Sequence, residues 1–247
     1  MRRFFPLIAI LLFAAAHGYA AENRIGSLIT NLAGSDEEAR LAAAVEIGDL
    51  GPIARDAVPA LIRALKSDDL TFQHEVIIAL GHMGPQAASA VPALAEILRG
   101  KSTILRHSAL HALRRIGEDA SPSIPQLKRL LNTKDQLLNV PAAWALAILK
   151  ADDKRTVRMT IPVLIKGLES PIADVRNDAV FALAEIGAPA APAVAVLVGK
   201  AGPTVCSHAC DALAGMGLDG KTAVPALLSR LNDPDEKVCW HAARALG

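Results

Sequence analysis

One helical motif recurs along the chain at intervals of about 33 residues, and this repeat constrains the fold more than any other feature. The clearest copy is VRNDAVFALAEIG, residues 175–187. Related copies are ARLAAAVEIGDLG, FQHEVIIALGHMG, LRHSALHALRRIG and VCSHACDALAGMG, which end at Gly51, Gly84, Gly117 and Gly217, and the shorter VCWHAARALG. A chain built from one such unit folds as a stack in which each unit packs on its neighbours.

Each unit is predicted to contain two helices. In the first, Ala179, Leu183 and Ile186 are spaced i, i+4 and i+7, which places them on one helix face. The glycine follows the last apolar residue, where a left-handed cap favours it. A proline marks the first turn of the second helix, where its missing N–H costs nothing. These prolines are Pro59, Pro92, Pro125, Pro162 and Pro225, and Ala195 takes the place in one copy.

The spacing of the units is irregular in two places. The glycine positions follow one another after 33, 33, 33, 37 and 30 residues when Lys150 is counted as the fourth. We predict four extra residues in a loop between Lys150 and Pro162, and a second helix one turn short at residues 194–200. Residues 25–32 match a second helix without a first helix before it, and we predict that they cap the stack.

The carboxyl end stops inside a first helix, so the last repeat is predicted to be truncated. A terminal repeat normally covers its apolar face with polar residues. Val238, Ala242 and Leu246 instead continue the interior pattern. This favours either a fragment of a longer protein or an end that meets a partner.

These motifs resemble HEAT repeats, specifically the short HEAT-like repeats named after phycobilisome lyases, over residues 24–247. The signatures of ankyrin and tetratricopeptide repeats, which have similar lengths, are missing. The resemblance implies an all-α fold, an α-α superhelix of the HEAT/armadillo-like solenoid type, for residues 21–247. It also implies a rigid stack that binds a protein partner.

Residues 1–20 have the pattern of a secretory signal peptide. Arg2 and Arg3 precede an uncharged stretch, and Gly18 and Ala20 are the small residues before a predicted cleavage site after Ala20. The apolar stretch of residues 4–16 is shorter than the roughly 20 residues that cross a membrane. We therefore expect a Sec-exported periplasmic or extracellular protein, without a membrane anchor after cleavage.

The composition of the exported chain disfavours several classes of partner. Removing residues 1–20 takes two of the 26 basic residues and none of the 25 acidic ones, so charge provides no attraction to nucleic acid. Only Phe72, Trp144, Phe181 and Trp240 remain as aromatic residues. Sites for sugars or single-stranded bases need stacking platforms, and this chain has few.

His74, Glu75, His107 and His111 form a candidate metal-binding set. His107 and His111 are four residues apart on one helix, a spacing that can bind zinc or copper, and His74 is expected to stack beside His107. His74-Glu75 is also similar to the His-Glu pairs that hold two irons in deoxyhypusine hydroxylase, another HEAT-repeat protein. That family needs four such pairs, and no other repeat here has one. We favour ordinary polar surface residues, and predict no metal, no cofactor and no catalytic residue.

Cys206, Cys210 and Cys239 are an odd number of cysteines and do not form a disulfide framework. Cys210 falls in a register column that is otherwise apolar, with residues such as Leu110 and Val180, so it is predicted to be a small core residue. Cys206 and Cys239 occupy equivalent positions in adjacent repeats.

Two surfaces are candidates for binding a partner. In the second helices, the fourth position after the proline faces outward and contains Arg63, Arg129 and Lys166, a mildly basic column suited to an acidic peptide or loop. The second helices are expected to line the concave side. In the first helices, a column of Val45, Ile78, His111, Trp144 and Phe181 is either an apolar binding stripe or, as we favour, packing between repeats.

The sequence thus predicts an exported, non-catalytic HEAT-repeat scaffold that mediates protein–protein interaction through its concave face. One alternative is a metal-binding accessory protein that uses the histidine set. Another is a lyase-type or chaperone-like subunit that acts on a cofactor-bearing protein, which only the family name suggests.

Overall fold

The computed structural model describes residues 23–247, and every regular element in that range is helical. The predicted signal peptide, residues 1–20, and its cleavage site lie outside the described residues. Between residues 23 and 247, no helix is both long and apolar enough to cross a membrane. The α-helices are α1 (residues 23–32), α2 (Glu37–Leu50), α3 (Val58–Ala64), α4 (Leu70–Met83), α5 (Val91–Ile97), α6 (Thr103–Ile116), α7 (Ile124–Leu131), α8 (Gln136–Leu149), α9 (Lys154–Gly167), α10 (Ala173–Ile186), α11 (Ala191–Lys200), α12 (Pro203–Met216), α13 (Val224–Ser229) and α14 (Glu236–Leu246).

The helices form two layers, and consecutive helices alternate between them. The even-numbered helices α2 to α14 are the predicted first helices, and the odd-numbered helices α1 to α13 are the predicted second helices. Buried apolar side chains between the layers form two adjoining groups, and α8 contributes to both. This arrangement confirms the predicted all-α solenoid.

Aspartates in the turns between repeats begin most of the first helices. Asp36, Asp69, Asp135 and Asp235 each accept a hydrogen bond at the side chain from a backbone N–H in the first turn of the helix that follows. An N-cap of this kind is worth about 0.5–2 kcal/mol. The aspartates of these turns therefore define where the next unit starts.

A glycine with positive φ ends most of the first helices. The five glycines with positive φ are Gly51, Gly84, Gly117, Gly187 and Gly217. Their φ confirms the need for glycine, but ψ lies between −128° and −145°, so they are not in the predicted left-handed helical conformation. In four repeats a 3₁₀ segment follows the glycine, over Gly51–Ala57, Gly84–Ala90, Gly117–Ser123 and Gly217–Ala223.

The structure corrects both predicted irregularities. The extra residues before Pro162 do not form a loop: they belong to the first turns of α9, and Pro162 lies inside that helix. The second helix of the next repeat is not shortened, because α11 has ten residues and starts at Ala191. The chain is instead shorter in the turn after α11, where α12 starts at Pro203.

The first helices lie on the inner side of the curve. They approach closely at small residues: a Cβ atom added to Gly48 or Gly81 would lie 3.2 Å from a backbone Cα of the next first helix. The second helices α3 and α5 instead pack on the 3₁₀ segments of the following repeats. Arg114 of α6 even reaches Glu185 of α10, with 3.6 Å between the charged groups, although α8 lies between those helices. The prediction that the second helices line the concave side is therefore wrong.

Replacing Gly117 with alanine should destabilise the protein through backbone strain alone. Its φ is +79°, and an added Cβ would have no neighbour within 4 Å. We expect a loss of about 1–3 kcal/mol in the free energy of unfolding, measured with urea. Gly199→Ala in α11 is the matched control, since that glycine also has open space around it but no positive φ. The control should be neutral or slightly stabilising; equal losses in both variants would contradict the strain argument.

Candidate functional site

Polar and aromatic side chains of three first helices meet on the inner side of the solenoid. The middle of α8 carries Val140 and Pro141, which are buried and place no long side chain between α6 and α10. Side chains from α6 and α10 can therefore meet above it. We call this cluster the inner patch; it consists of His107, His111 and Arg114 of α6, Trp144 of α8, and Asp178, Phe181 and Glu185 of α10.

Two imidazoles and one carboxylate form the polar half of the inner patch. The Nε2 atoms of His107 and His111 are 3.3 Å apart. Asp178 Oδ2 lies 3.6 Å from His107 Nε2 and 3.3 Å from His111 Nε2. All three side chains are mostly buried, and Asp178 retains only 13% of its side-chain exposure. These atoms are the one group of three or more metal-type donors in close proximity within residues 23–247.

Two opposing effects act on the pKa of Asp178. Burial favours the neutral acid and raises the pKa, but the nearby imidazoles of His107 and His111, through hydrogen bonding and charge, outweigh burial. The net result is a pKa below the usual value for aspartate. Asp178 is therefore an anion at neutral pH, held against two nitrogen donors.

Trp144 organises the aromatic half of the inner patch. Its ring lies edge-on to His111 with 6.0 Å between centroids, and is stacked with Phe181 at 6.4 Å. The Arg114 guanidinium lies 3.9 Å from the Trp144 ring centroid, and Trp144 Nε1 donates a 2.6 Å hydrogen bond to Glu185. Desolvation lowers the pKa of Arg114, an effect that Glu185 opposes. The Trp144 ring of α8 thus contacts side chains of both α6 and α10.

The predicted metal-binding set does not assemble as expected. His74 Nδ1 lies 3.5 Å from Glu75 of its own helix, and neither residue belongs to the group formed by His107 and His111 in the described chain. The prediction that His74 and Glu75 join His107 and His111 in one ligand set is therefore wrong. Asp178 takes the place that Glu75 was expected to fill.

The predicted basic column is exposed but lies on the other layer. Arg63, Arg129 and Lys166 are solvent-exposed residues of α3, α7 and α9. Lys166 lines an open groove of about 730 Å³ between α9 and the turn after α7, which neither of the other two residues lines. Glu96, in the same column, is paired with Arg99 at 2.7 Å. The column is thus on the outer side and is interrupted by a neutralised charge.

The cysteines have structural positions. All three are free thiols within the described range, and Cys210 is buried, which confirms its predicted place in the core. Cys206 Sγ donates to Val198 O at 3.6 Å, and Cys239 Sγ donates to Asp233 O at 3.0 Å. Each of these two thiols therefore donates to a carbonyl group of the preceding segment, the last turn of α11 for Cys206 and the turn before α14 for Cys239.

Arg114, Asp178 and Glu185 are the residues of the inner patch that were not selected from the sequence. A signal for Asp178 exists, because it occupies the repeat position of Glu75. The repeat pattern alone does not show that side chains two repeats apart meet. Trp144 and Phe181 were placed correctly in one column with His111, and the contacts of Trp144 with α6 and α10 confirm its packing role.

Comparison with known proteins supports the repeat assignment. The sequence model of HEAT repeats matches residues 25–114 and, overlapping them, residues 91–184. A crystal structure of an engineered protein is similar with a TM-score of 0.53 at 22% identity, over 90% of this chain and 67% of that one. A second engineered protein has a TM-score of 0.52 at 24% identity, over 90% and 95% of the two chains. At these identities the likeness shows the fold alone.

Human deoxyhypusine hydroxylase in complex with glycerol is also similar, with a TM-score of 0.44 at 18% identity over 92% of this chain and 96% of that one. A search of curated protein sequences finds no match to this chain. The inner patch is therefore the feature of this chain that bears most directly on its function.

Replacing Asp178 with asparagine should destabilise the protein in a pH-dependent way. A carboxylate whose pKa is lower in the folded than in the unfolded chain stabilises the fold above the unfolded value of about 3.9. That contribution is lost as the pH falls through the lower folded pKa. We therefore expect the difference in free energy of unfolding between wild type and Asp178→Asn to be larger at pH 6 than in strong acid.

Urea titrations in the presence of EDTA measure this difference without any contribution from bound metal. Asp68→Asn, in an exposed turn, is the control and should change stability by less than about 0.5 kcal/mol at either pH. A pH-independent loss in Asp178→Asn would show that the charge of Asp178 does not contribute.

Proposed function

Since the chain belongs to the HEAT-repeat family, we propose that it is an exported, non-catalytic scaffold whose inner patch binds a protein partner. The observation that carries this proposal is Phe181, which is 61% exposed on the inner side of the stack. A large apolar side chain held outward on a helix is costly to hydrate, and its burial by a partner is favourable. Aromatic residues and arginine are enriched among the residues that dominate protein–protein binding energies.

The surroundings of Phe181 support the same proposal. Trp144 lies beneath it and is only 6% exposed, so the Phe181 ring rests on a fixed base. Arg114 and Glu185 lie beside the pair and offer charged groups for a polar rim. A rigid aromatic anchor with polar neighbours resembles the centre of an interface. Since its support is already in place, binding requires little reordering of side chains.

The outer basic column remains a second candidate surface. Arg63, Arg129 and Lys166 are exposed on α3, α7 and α9. The helix between α3 and α7 is α5, which contributes Glu96 to this column and so interrupts the basic residues. Exposed, separated charges contribute little binding energy each because water and salt screen them. The inner patch is therefore the better supported surface.

Export is proposed from the sequence of residues 1–20 alone. A basic pair, an apolar stretch and small residues before Ala20 are the features that signal peptidases and translocons use. The lyase-type or chaperone-like alternative, and the prediction that the chain is not an enzyme, remain predictions.

Cleavage after Ala20 predicts a defined amino terminus. When the full chain is expressed in a bacterium with Sec export, the periplasmic form should begin at Ala21 and lack the mass of residues 1–20, as measured by intact mass spectrometry. Replacing Ala20 with a bulky residue, as in Ala20→Phe, should leave the precursor uncut. A full-length chain that stays in the cytoplasm would rule out export.

A pair of surface variants tests which face binds the partner. Immobilised protein, residues 21–247, is cross-linked to proteins of the exported fraction, and the captured protein is identified and then titrated against each variant. Phe181→Glu should weaken binding at least about tenfold, which corresponds to 1.4 kcal/mol. Leu228→Glu is the matched control, since Leu228 is 53% exposed on α13 in the other layer and should not affect binding.

The triple variant Arg63→Glu, Arg129→Glu and Lys166→Glu reports on the outer column. Full binding by the triple variant supports the inner patch. Loss of binding in the triple variant with full binding by Phe181→Glu would assign the interface to the outer column. Capture that no variant changes would contradict the scaffold proposal at both surfaces.

A further inference from the structure

The donor atoms of the inner patch have the spacing of a metal coordination sphere. The three separations among His107 Nε2, His111 Nε2 and Asp178 Oδ2 are 3.3, 3.3 and 3.6 Å. The three donor atoms therefore form a nearly equilateral triangle. Asp178 Oδ2 is buried, and its contacts with the two imidazoles are poorly oriented for hydrogen bonding in the described chain.

The separations identify the preferred coordination geometry. Zinc binds imidazole nitrogen and carboxylate oxygen at about 2.0–2.1 Å, and at tetrahedral angles two such ligands lie about 3.3–3.4 Å apart. An octahedral ion with bonds of similar length, such as Mg²⁺, needs ligands about 2.9 Å apart. The observed separations are wider than the octahedral value, and two of the three match the tetrahedral one.

The geometry points to a zinc site: we propose that His107, His111 and Asp178 bind one Zn²⁺ ion and leave its fourth position open. Two imidazoles and a carboxylate are hard-to-intermediate donors that suit zinc better than calcium or magnesium. This proposal does not rest on the proposed binding of a protein partner. It departs from the expectation that the histidines are ordinary surface residues, because Asp178 was not among the candidate ligands considered there.

The surroundings of the three donors favour a bound cation. His107 and His111 are one helical turn apart on α6, so their backbone positions are rigid relative to each other. The Trp144 ring lies edge-on against His111 and restricts its rotation. Asp178 contributes a carboxylate with only 13% side-chain exposure, while Arg114 and Glu185 neutralise each other at 3.6 Å. A divalent cation is thus attracted to a partly desolvated anion.

A groove between α4 and α6 leads to the two histidines. This groove has a volume of about 320 Å³, and both histidines line it together with Ser108 and His82. Water or a small ligand can reach the two histidines from this side. Three protein ligands with an open position are typical of zinc that exchanges a ligand, whereas purely structural zinc has four protein ligands.

Isothermal titration of the EDTA-treated protein, residues 21–247, with ZnCl₂ tests the proposal. We expect one ion per chain with a dissociation constant on the order of 1 µM or tighter. His107→Gln and Asp178→Asn each remove one ligand with little change in shape. Either substitution should weaken binding about 100-fold or more, beyond the 10–100-fold typical of losing an outer-shell partner.

Matched controls separate this site from other histidines. His74→Gln and His241→Gln remove the imidazoles that contact Glu75 and Asp211, and should bind zinc as the wild type does. Urea titrations in EDTA establish that each variant is folded. Substitution with Co²⁺ provides a second measurement, since a four-coordinate ion absorbs visible light much more strongly than a six-coordinate one.

Binding of one ion that is lost in both ligand variants, with a four-coordinate cobalt spectrum, supports the site. No heat of binding at a zinc concentration of about 100 µM would overturn it. Unchanged binding in His107→Gln or Asp178→Asn, or a six-coordinate spectrum, would overturn it equally.

Discussion

Close packing of the first helices at small residues is the contact on which the shape of the molecule depends. Gly48 lies against Ala79 and Gly81 against Ala112, so near that a Cβ atom would press on the neighbouring backbone. Gly215 approaches Ala184 in the same way. Because one layer is drawn together while the other is spread by the 3₁₀ segments, the stack curves towards the first helices. Such a difference in spacing rotates each unit slightly against the next, and the repeated rotation determines the curvature of a solenoid.

The inner patch is a consequence of that curvature. Side chains of helices two repeats apart normally lie too far apart to touch, since packed helices are about 8–10 Å from each other. Here the middle of α8 carries the buried Val140 and Pro141, and long side chains of α6 and α10 meet above them. Asp178 and Glu185 then reach His111 and Arg114, respectively. One contact geometry thus produces both the donor cluster and the aromatic platform.

Most of the fold could be predicted from the sequence, because each helix encodes its own start, apolar face and end. The register of the repeat correctly indicated that Cys210 is buried and that Trp144 and His111 share a column. The concave side was predicted wrongly, because the repeat register shows which residues face outward but not how far one unit rotates against the next. The role of Asp178 was missed for the same reason. Asp178 on α10 lies two repeats from His107 on α6, so their contact depends on how each of two successive units is rotated.

The two proposals for the inner patch are linked through the separation of α6 and α10. Zinc held by His107, His111 and Asp178 would connect α6 directly to α10, and the exposed Phe181 lies on α10, one turn beyond Asp178. A partner that contacts Phe181 and Glu185 of α10 together with Arg114 of α6 also bridges these two helices. If each ligand favours the same separation, each strengthens binding of the other by an equal factor, because coupling between two binding sites is reciprocal. If zinc and the partner favour different separations of α6 and α10, each weakens binding of the other, again by an equal factor. The spacing across α8 is therefore the one structural variable that both functions share.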